Sequence, residues 1–170
     1  MLSSGKARQV TVTALLLAGA LIVGQVERLM PTPVPGVKLG FANGFSLLAL
    51  IWWGPKSSVT LTAYRVMILG LINGFGPFFA CSAAGAIASQ FVTVALWMLT
   101  AQKVPLVPLS ILGALGHSLA QLVVASYFLG RALVLTYGPM MLFLSSLAGL
   151  GVGLVTVLVA QAVKKTGHHF

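Results

Sequence analysis

The sequence predicts an all-α integral membrane protein, a bundle of six transmembrane helices that forms one domain over residues 1–170. Three observations support this fold class. The 170 residues are 58% hydrophobic and only 6% charged, whereas roughly a quarter of the residues in soluble proteins are charged. The mean hydropathy is +1.03. Six apolar stretches follow one another along the chain, and a hydrocarbon core of about 30 Å needs roughly 20 residues per helix.

Each apolar stretch is predicted to be helical, because a helix satisfies its own backbone hydrogen bonds inside lipid. The second and third stretches are short, so five spans with one re-entrant segment remain the alternative count. In chain order, the six predicted spans are Val10–Leu29, Leu39–Trp53, Val59–Phe75, Phe78–Thr100, Leu106–Leu129 and Pro139–Val163.

Proline and glycine residues separate the six stretches. Proline removes a backbone donor and glycine permits backbone angles outside the helical range, so both residues end helices. Their presence at nearly every boundary supports the count of six. The boundaries contain, in order, Pro31, Pro33, Pro35 and Gly36, then Gly54 and Pro55, Gly76 and Pro77, Pro105 and Pro108, and Gly138 and Pro139.

The basic residues predict the orientation in the membrane. If the N-terminus is cytoplasmic, seven cations lie on the inner side and three on the outer side, in agreement with the positive-inside rule. Trp52 and Trp53, near the inner end of the second span, fit an aromatic belt. Six spans then place both termini in the cytoplasm and the protein in the cell (cytoplasmic) membrane. The inner cations are Lys6, Arg8, Lys56, Arg65, Lys103, Lys164 and Lys165.

The composition excludes several classes of chemistry. Glu27 is the sole acidic residue, so paired-carboxylate hydrolysis lacks its second acid and Mg²⁺-dependent diphosphate chemistry lacks its ligands. Cys81 and His117 each stand alone, which argues against a zinc site or a catalytic cysteine. The basic residues are scattered between apolar runs, whereas a nucleic-acid-binding protein clusters them. The sequence therefore predicts no enzyme activity, no cofactor, no metal and no nucleic-acid partner.

Three cations run against the charge bias. Arg28, Lys38 and Arg131 all lie at predicted helix ends on the outer side. Long basic side chains at such positions can extend to lipid phosphates. They can equally line an outward-facing pocket for an anionic solute, and both interpretations remain open.

A short motif, L-G-x-x-N-G-F, occurs twice, at Leu39–Phe45 and Leu69–Phe75. The first copy opens the second span and the second copy closes the third, so both are expected in the outer half of antiparallel neighbours. Each copy contains G-x-x-x-G, which permits close approach between helices. Buried amides are costly in lipid, so Asn43 and Asn73 either hydrogen-bond across helices or contact a solute.

The segment between the first two spans, residues 27–38, is the most distinctive part of the chain. Three prolines at alternate positions favour an extended backbone, which predicts a semi-rigid flap. Glu27 is the first residue of this segment and could form an ion pair with Lys38 or Arg131 that locks the flap. Direct contact with a solute is the other interpretation of Glu27.

Two polar residues lie deeper in the fifth predicted span. His117 and Gln121 are four positions apart and therefore share one helical face. They either hydrogen-bond between helices or form the floor of a pocket that reaches the midplane.

Glu27, the proline-rich flap and Pro35–Asn43 resemble the Gx transporter family, which is also labelled heptaprenyl diphosphate synthase component I. That family is related to the substrate-binding S components of energy-coupling factor (ECF) transporters. The likeness in length and span pattern covers most of the chain, and the specific motif lies in residues 27–45. Ala14 and Ala18 match the A-x-x-x-A of S-component first helices, where small residues form a groove for another helix.

The resemblance implies an ECF S-component-like bundle that captures a small anionic or polar-aromatic metabolite from outside, such as a vitamin or isoprenoid precursor. Ala14 and Ala18 would dock on a transmembrane coupling subunit driven by two cytoplasmic ATPases, since this chain lacks a phosphate-binding loop. The alternative is a non-catalytic membrane scaffold or companion subunit for a prenyl/quinone-pathway or redox enzyme. The predicted substrate-binding residues are Glu27, Arg28, Lys38, Asn43, Asn73, His117, Gln121 and Arg131.

The two functions predict different interiors. A solute-capturing subunit needs its polar residues to converge on one cavity of about 300 Å³ or more. A scaffold would turn the same residues towards packed helices and leave no such cavity.

Overall fold

The computed structural model describes residues 4–34 and 36–165, and within these ranges the chain is all-helical, as predicted. Each helix packs against the next one along the chain. The six helices are α1 (Ser4–Leu29), α2 (Asn43–Trp53), α3 (Pro55–Asn73), α4 (Pro77–Leu99), α5 (Leu106–Leu129) and α6 (Arg131–Lys165).

In the part of the chain that the structure describes, four helices, α1, α4, α5 and α6, are long and apolar enough to cross a membrane. The protein is therefore a multi-pass membrane protein. α2 has 11 residues, which at 1.5 Å per residue extend about 16 Å, only half of a hydrocarbon core. α3 has 19 residues, with several polar side chains in its first half. Six full crossings and the orientation of the termini stay predictions.

The second predicted span begins four residues too early. The helix begins at Asn43, not at Leu39, because Gly40 has φ of +89° and lies in the left-handed region that stops a helix. Residues 40–44 form tight turns before the helix. The Asn43 N–H donates to the Gly40 oxygen (3.0 Å), and the Gly44 N–H donates to the Phe41 oxygen (3.2 Å).

The last predicted span begins eight residues too late. α6 begins at Arg131, and Pro139 lies inside it. A proline removes only its own backbone donor, and membrane helices tolerate this loss when neighbouring helices support the chain. The break between α5 and α6 is the single residue Gly130, with φ of +88°. The predicted bounds of α5 are confirmed, and those of α4 differ by one residue at each end.

Glycines bring α6 into backbone contact with α5. A Cβ added at Gly149 would lie 2.8 Å from the Cα of Ile111, and one added at Gly153 would lie 2.8 Å from the Cα of Val107. Side chains cannot fit between helices this close. The pair α5 and α6 therefore forms a tightly packed hairpin.

The segment that links α1 to α2, residues 30–42, is called the connector below. Val34 and Val37 are fully buried, and they pack with an apolar cluster built on Cys81, Leu122 and Met141 of α4, α5 and α6. The connector thus crosses the end of the bundle and is anchored there by its own side chains. Pro35 lies outside the described residues.

Candidate functional site

A cavity of about 350 Å³ opens at the connector end of the bundle. It lies between α1, α3, α4 and the connector, and its volume falls in the range of small-molecule sites. Its lining combines charged and amide groups with aromatic and aliphatic walls. The polar lining includes Glu27, Arg28, Lys38, Asn73 and Ser82, and the apolar lining includes Met30, Val66, Leu69, Phe78 and Phe79.

The carboxylate of Glu27 is buried and holds the end of the connector. It accepts hydrogen bonds from the backbone N–H groups of Gly40 (2.6 Å), Phe41 (2.8 Å) and Ala42 (3.4 Å). N–H groups at a helix start have no partner within the helix and carry partial positive charge. Glu27 thus fastens the connector to α1 by binding backbone, in place of the predicted ion pair with Lys38 or Arg131.

Arg28 and Asn73 lie together at the cavity mouth. Nη1 of the exposed Arg28 donates to Oδ1 of Asn73. Nδ2 of Asn73 in turn donates to the Leu69 oxygen at 2.9 Å. This pair links α1 to α3 and presents a positive charge to the opening.

Lys38 brings the connector onto α5. Its backbone N–H donates to Oε1 of Gln121 at 2.8 Å, while its side chain faces the cavity. Burial lowers the pKa of Lys38 below its usual value, the carboxylate of Glu27 opposes this shift, and Arg65 and Arg28 add to it. An anion in the cavity would favour the protonated form of Lys38.

Arg65, which is predicted to be a cytoplasmic cation, is buried in the middle of α3 with 4% of its surface exposed. That assignment is wrong, because Nη2 of Arg65 donates to Oδ1 of Asn43 at 2.8 Å. Asn43 also contacts Nδ1 of His117 through Nδ2, at 3.2 Å. The sequence does carry a signal, since a lone charge inside an apolar span is expected to be functional.

These inner residues surround a second, smaller cavity of about 20 Å³. It lies next to the main cavity, because Glu27, Lys38 and Ser82 line both. Asn43, Arg65 and His117 complete the polar lining of the inner cavity.

Arg131 lies apart from the other predicted binding residues. It is exposed at the start of α6, beside Tyr127 and Phe128. The structure therefore gathers seven of the eight predicted side chains around the two cavities or next to them and leaves this one outside. Interfacial exposure fits the alternative interpretation of Arg131 as a contact for lipid phosphates.

The two copies of the repeated motif occupy the same end of the molecule but have different environments. Asn43 is in the inner polar network, whereas Asn73 is at the mouth. The glycines do not pair the two copies, since Gly44 faces Val152 of α6 and Gly70 faces Phe75 and Phe79.

The predicted docking residues Ala14 and Ala18 are both exposed on α1. Large apolar side chains, including Leu15 and Ile22, are exposed on the same helix. The docking role itself stays a prediction.

The fold and the site define a small multi-pass membrane protein with an amphipathic, ligand-sized cavity at one end. The chain belongs to the family described as heptaprenyl diphosphate synthase component I, whose model matches residues 16–159. The resemblance inferred from the connector motif is thereby confirmed. No curated protein and no solved structure matches the chain.

Proposed function

We propose that this protein is a non-catalytic membrane subunit that acts beside a prenyl-pathway enzyme and binds a small amphipathic ligand in its main cavity. The family name supports the enzyme partner, because it pairs a component I with heptaprenyl diphosphate synthase. The cavity of about 350 Å³ carries the proposal of ligand binding. A pure scaffold has no need of such a cavity.

The proposal assigns the chemistry to the partner. Mg²⁺-dependent prenyl transfer needs carboxylates that hold the metal, and the only acid of this chain, Glu27, binds backbone N–H groups with both oxygens. Within the described residues no group of three His, Cys, Asp or Glu side chains could hold a metal ion. The role left for this chain is to bind, deliver or sequester a ligand at the membrane.

A second candidate function is the S component of an ECF-type importer. The specific observation in its favour is that charged and amide side chains converge on a cavity beneath the connector. The exposed Ala14 and Ala18 on α1 would then dock on the coupling subunit, which two cytoplasmic ATPases drive. In this role the cavity would collect its ligand from outside the cell.

Mass spectrometry of small molecules that co-purify with the protein tests ligand binding. Ala83 lines the main cavity, so an Ala83→Trp variant should fill it and lose the ligand. An Arg131→Ala variant is the matched control and should retain the ligand. If wild-type protein and the Ala83→Trp variant carry the same molecules, the proposed ligand binding is wrong.

Affinity purification from native membranes separates the two candidate partners. A prenyl synthase subunit in the eluate supports the first function, and a coupling subunit with ATPases supports the second. Replacing both Ala14 and Ala18 by Trp should abolish capture of a coupling subunit, whereas a nearby exposed substitution, Leu15→Ala, should not.

A further inference from the structure

Two buried donor groups near the inner cavity make no hydrogen bond to any group of residues 4–34 and 36–165. They are Nη1 of Arg65 and Nε2 of Gln121. Neither side chain is more than 4% exposed. Buried polar groups are almost always paired, so two unpaired donors so close together call for an explanation.

The hydrogen-bond network identifies both groups as donors. Arg65 can only donate, so the atom of Asn43 that faces it is Oδ1 and the atom that faces His117 is the donor Nδ2. His117 also hydrogen-bonds to the backbone of Gly85, so its ring already has partners on α2 and α4. The amide nitrogen of Gln121 is a free donor, because its Oε1 accepts from the Lys38 N–H.

The charges around the inner cavity are also unbalanced. Arg65 and Lys38 contribute two cations, and the carboxylate of Glu27 is already engaged by three backbone N–H groups. A buried charge is costly unless a partner compensates it. The inner cavity thus has donors and positive charge in excess, and the group that complements it is an anionic acceptor.

The size of the inner cavity limits what can enter. Its volume of about 20 Å³ exceeds the roughly 10–15 Å³ that one water-sized group needs. A terminal oxygen of a larger ligand fits there, while the rest of the ligand lies in the main cavity. Phe78 and Phe79 offer an apolar wall for that remaining part.

We propose that the inner cavity is the subsite for a terminal oxyanion of the ligand, with the guanidinium of Arg65 as its donor. The ligand class is then an organic anion, a phosphate ester or a carboxylate, with an apolar body. This inference rests on the proposed function, because it describes the same ligand. Arg65 becomes the residue that distinguishes a charged ligand from its neutral analogue.

Isothermal titration calorimetry on the purified protein in detergent tests the subsite with three probes that share a five-carbon prenyl skeleton. The probes are dimethylallyl diphosphate, 3-methylbut-2-enoate and the uncharged dimethylallyl alcohol. We expect at least one anionic probe to bind about tenfold or more tightly than the alcohol, since charge-assisted hydrogen bonds are the strong ones. The anion that binds more tightly identifies phosphate or carboxylate chemistry.

An Arg65→Gln variant should bind the preferred anion about thirtyfold more weakly, because the substitution removes one partner of a buried charge pair. Its affinity for the alcohol should stay within about twofold. Arg131→Gln is the matched control, because it removes the same charge from an exposed position outside both cavities. It should leave all three affinities unchanged.

Because Arg65 also supports Asn43, a second variant keeps the arginine in place. Ser82 lines both cavities, so Ser82→Val should narrow the space between them and reduce anion binding to a similar degree. Failure of both anions to bind, equal binding of anion and alcohol, or unchanged anion affinity in both variants would overturn the inference. A different result would contradict the proposed function, namely that the Ala83→Trp protein retains the same co-purified molecules as the wild type.

Discussion

The carboxylate of Glu27 joins α1 to the connector. It accepts the backbone N–H groups of the three residues that precede α2. Two of these bonds go to the same oxygen, Oε1, from Gly40 and Phe41. A single acid therefore satisfies three backbone donors of the connector.

Replacing Glu27 by alanine should lower the stability by roughly 2–3 kcal/mol, because buried backbone donors lose their acceptor. Glu27→Gln is the matched control, since its one oxygen can still accept from Gly40 and Phe41. It should lose about half as much stability or less. Thermal unfolding of both variants in the same detergent measures the difference, and equal losses would contradict this account of Oε1.

The two asparagines of the repeated motif should differ in their effect on stability. Asn43→Ala removes the partner of both Arg65 and His117 in a buried network and should cost roughly 2–3 kcal/mol. Asn73→Ala removes the partner of the exposed Arg28 and should cost less than about 1 kcal/mol. Parallel melting curves test this order, and a larger loss for Asn73→Ala would show that the mouth stabilises the fold.

The backbone of the connector approaches α4 closely at one residue, Gly36. Gly36 has φ of +81°, and a Cβ there would meet the ring of Phe78. Phe78 lines the main cavity, so a residue larger than glycine at position 36 would displace a wall of the site. The connector and the cavity are therefore coupled through this contact.

A Gly36→Ala variant should lose about 1–2 kcal/mol of stability from its left-handed backbone and also bind the co-purifying ligand more weakly. Gly54→Ala is the control, because Gly54 has φ of +82° and open space around it at the opposite end of the bundle. It should show a similar stability loss with unchanged ligand content. Equal ligand loss in both variants would refute the coupling.

The tight packing of α6 on α5 can be tested by substituting the glycines of α6. Gly149→Ala would push a Cβ against the backbone at Ile111 and should cost about 1–3 kcal/mol, as overpacking does. Gly151 on the same helix has open space, so Gly151→Ala should be neutral or stabilising by up to about 1 kcal/mol. Unfolding in denaturant measures both values, and a harmless Gly149→Ala would contradict the tight contact.

Hydropathy and helix-breaking residues predict all six helix ends to within two residues, whereas the starts of α1, α2, α3 and α6 are wrong by four to eight residues. α5 is correct because Pro105 and Gly130 leave no ambiguity about where the chain turns. The start of α6 is wrong because Pro139 looks like a stop in the sequence, although a packed membrane helix tolerates it. Local patterns cannot show whether neighbouring helices support such a proline.

The site is less predictable because it depends on distant parts of the chain. Residues that flank helix ends, such as Arg28 and Lys38, can be assigned to one end of the bundle from topology alone. Arg65 could not be placed in this way, since its contact with Asn43 depends on the rotation of α3 about its axis. The backbone role of Glu27 likewise requires the turn at Gly40.

The connector lies at one end of the helix bundle, and the start of α1 and the end of α6 lie at the other end. With Arg65 buried, six cations remain near the ends that are predicted to be cytoplasmic and three near the connector end. The charge bias still favours cytoplasmic termini. The proposed orientation therefore survives the reassignment of Arg65.

Cysteine labelling of intact cells tests that orientation. A membrane-impermeant maleimide should modify a Pro31→Cys variant in the connector directly and a Gln102→Cys variant only after permeabilisation, since both positions are exposed at opposite ends. Cys81 is buried, so the native background should be low. The reverse pattern of labelling would place the cavity mouth in the cytoplasm.

A single residue, Gly130, joins α5 to α6, and the glycines of α6 contact the backbone of α5. These two helices therefore cannot slide or separate without losing this packing. This hairpin supplies none of the lining of the main cavity, which comes from α1, α3, α4 and the connector. The main cavity is therefore built on the less tightly packed side of the bundle. We expect that binding of the proposed ligand displaces the connector or α3 and leaves α5 and α6 in place.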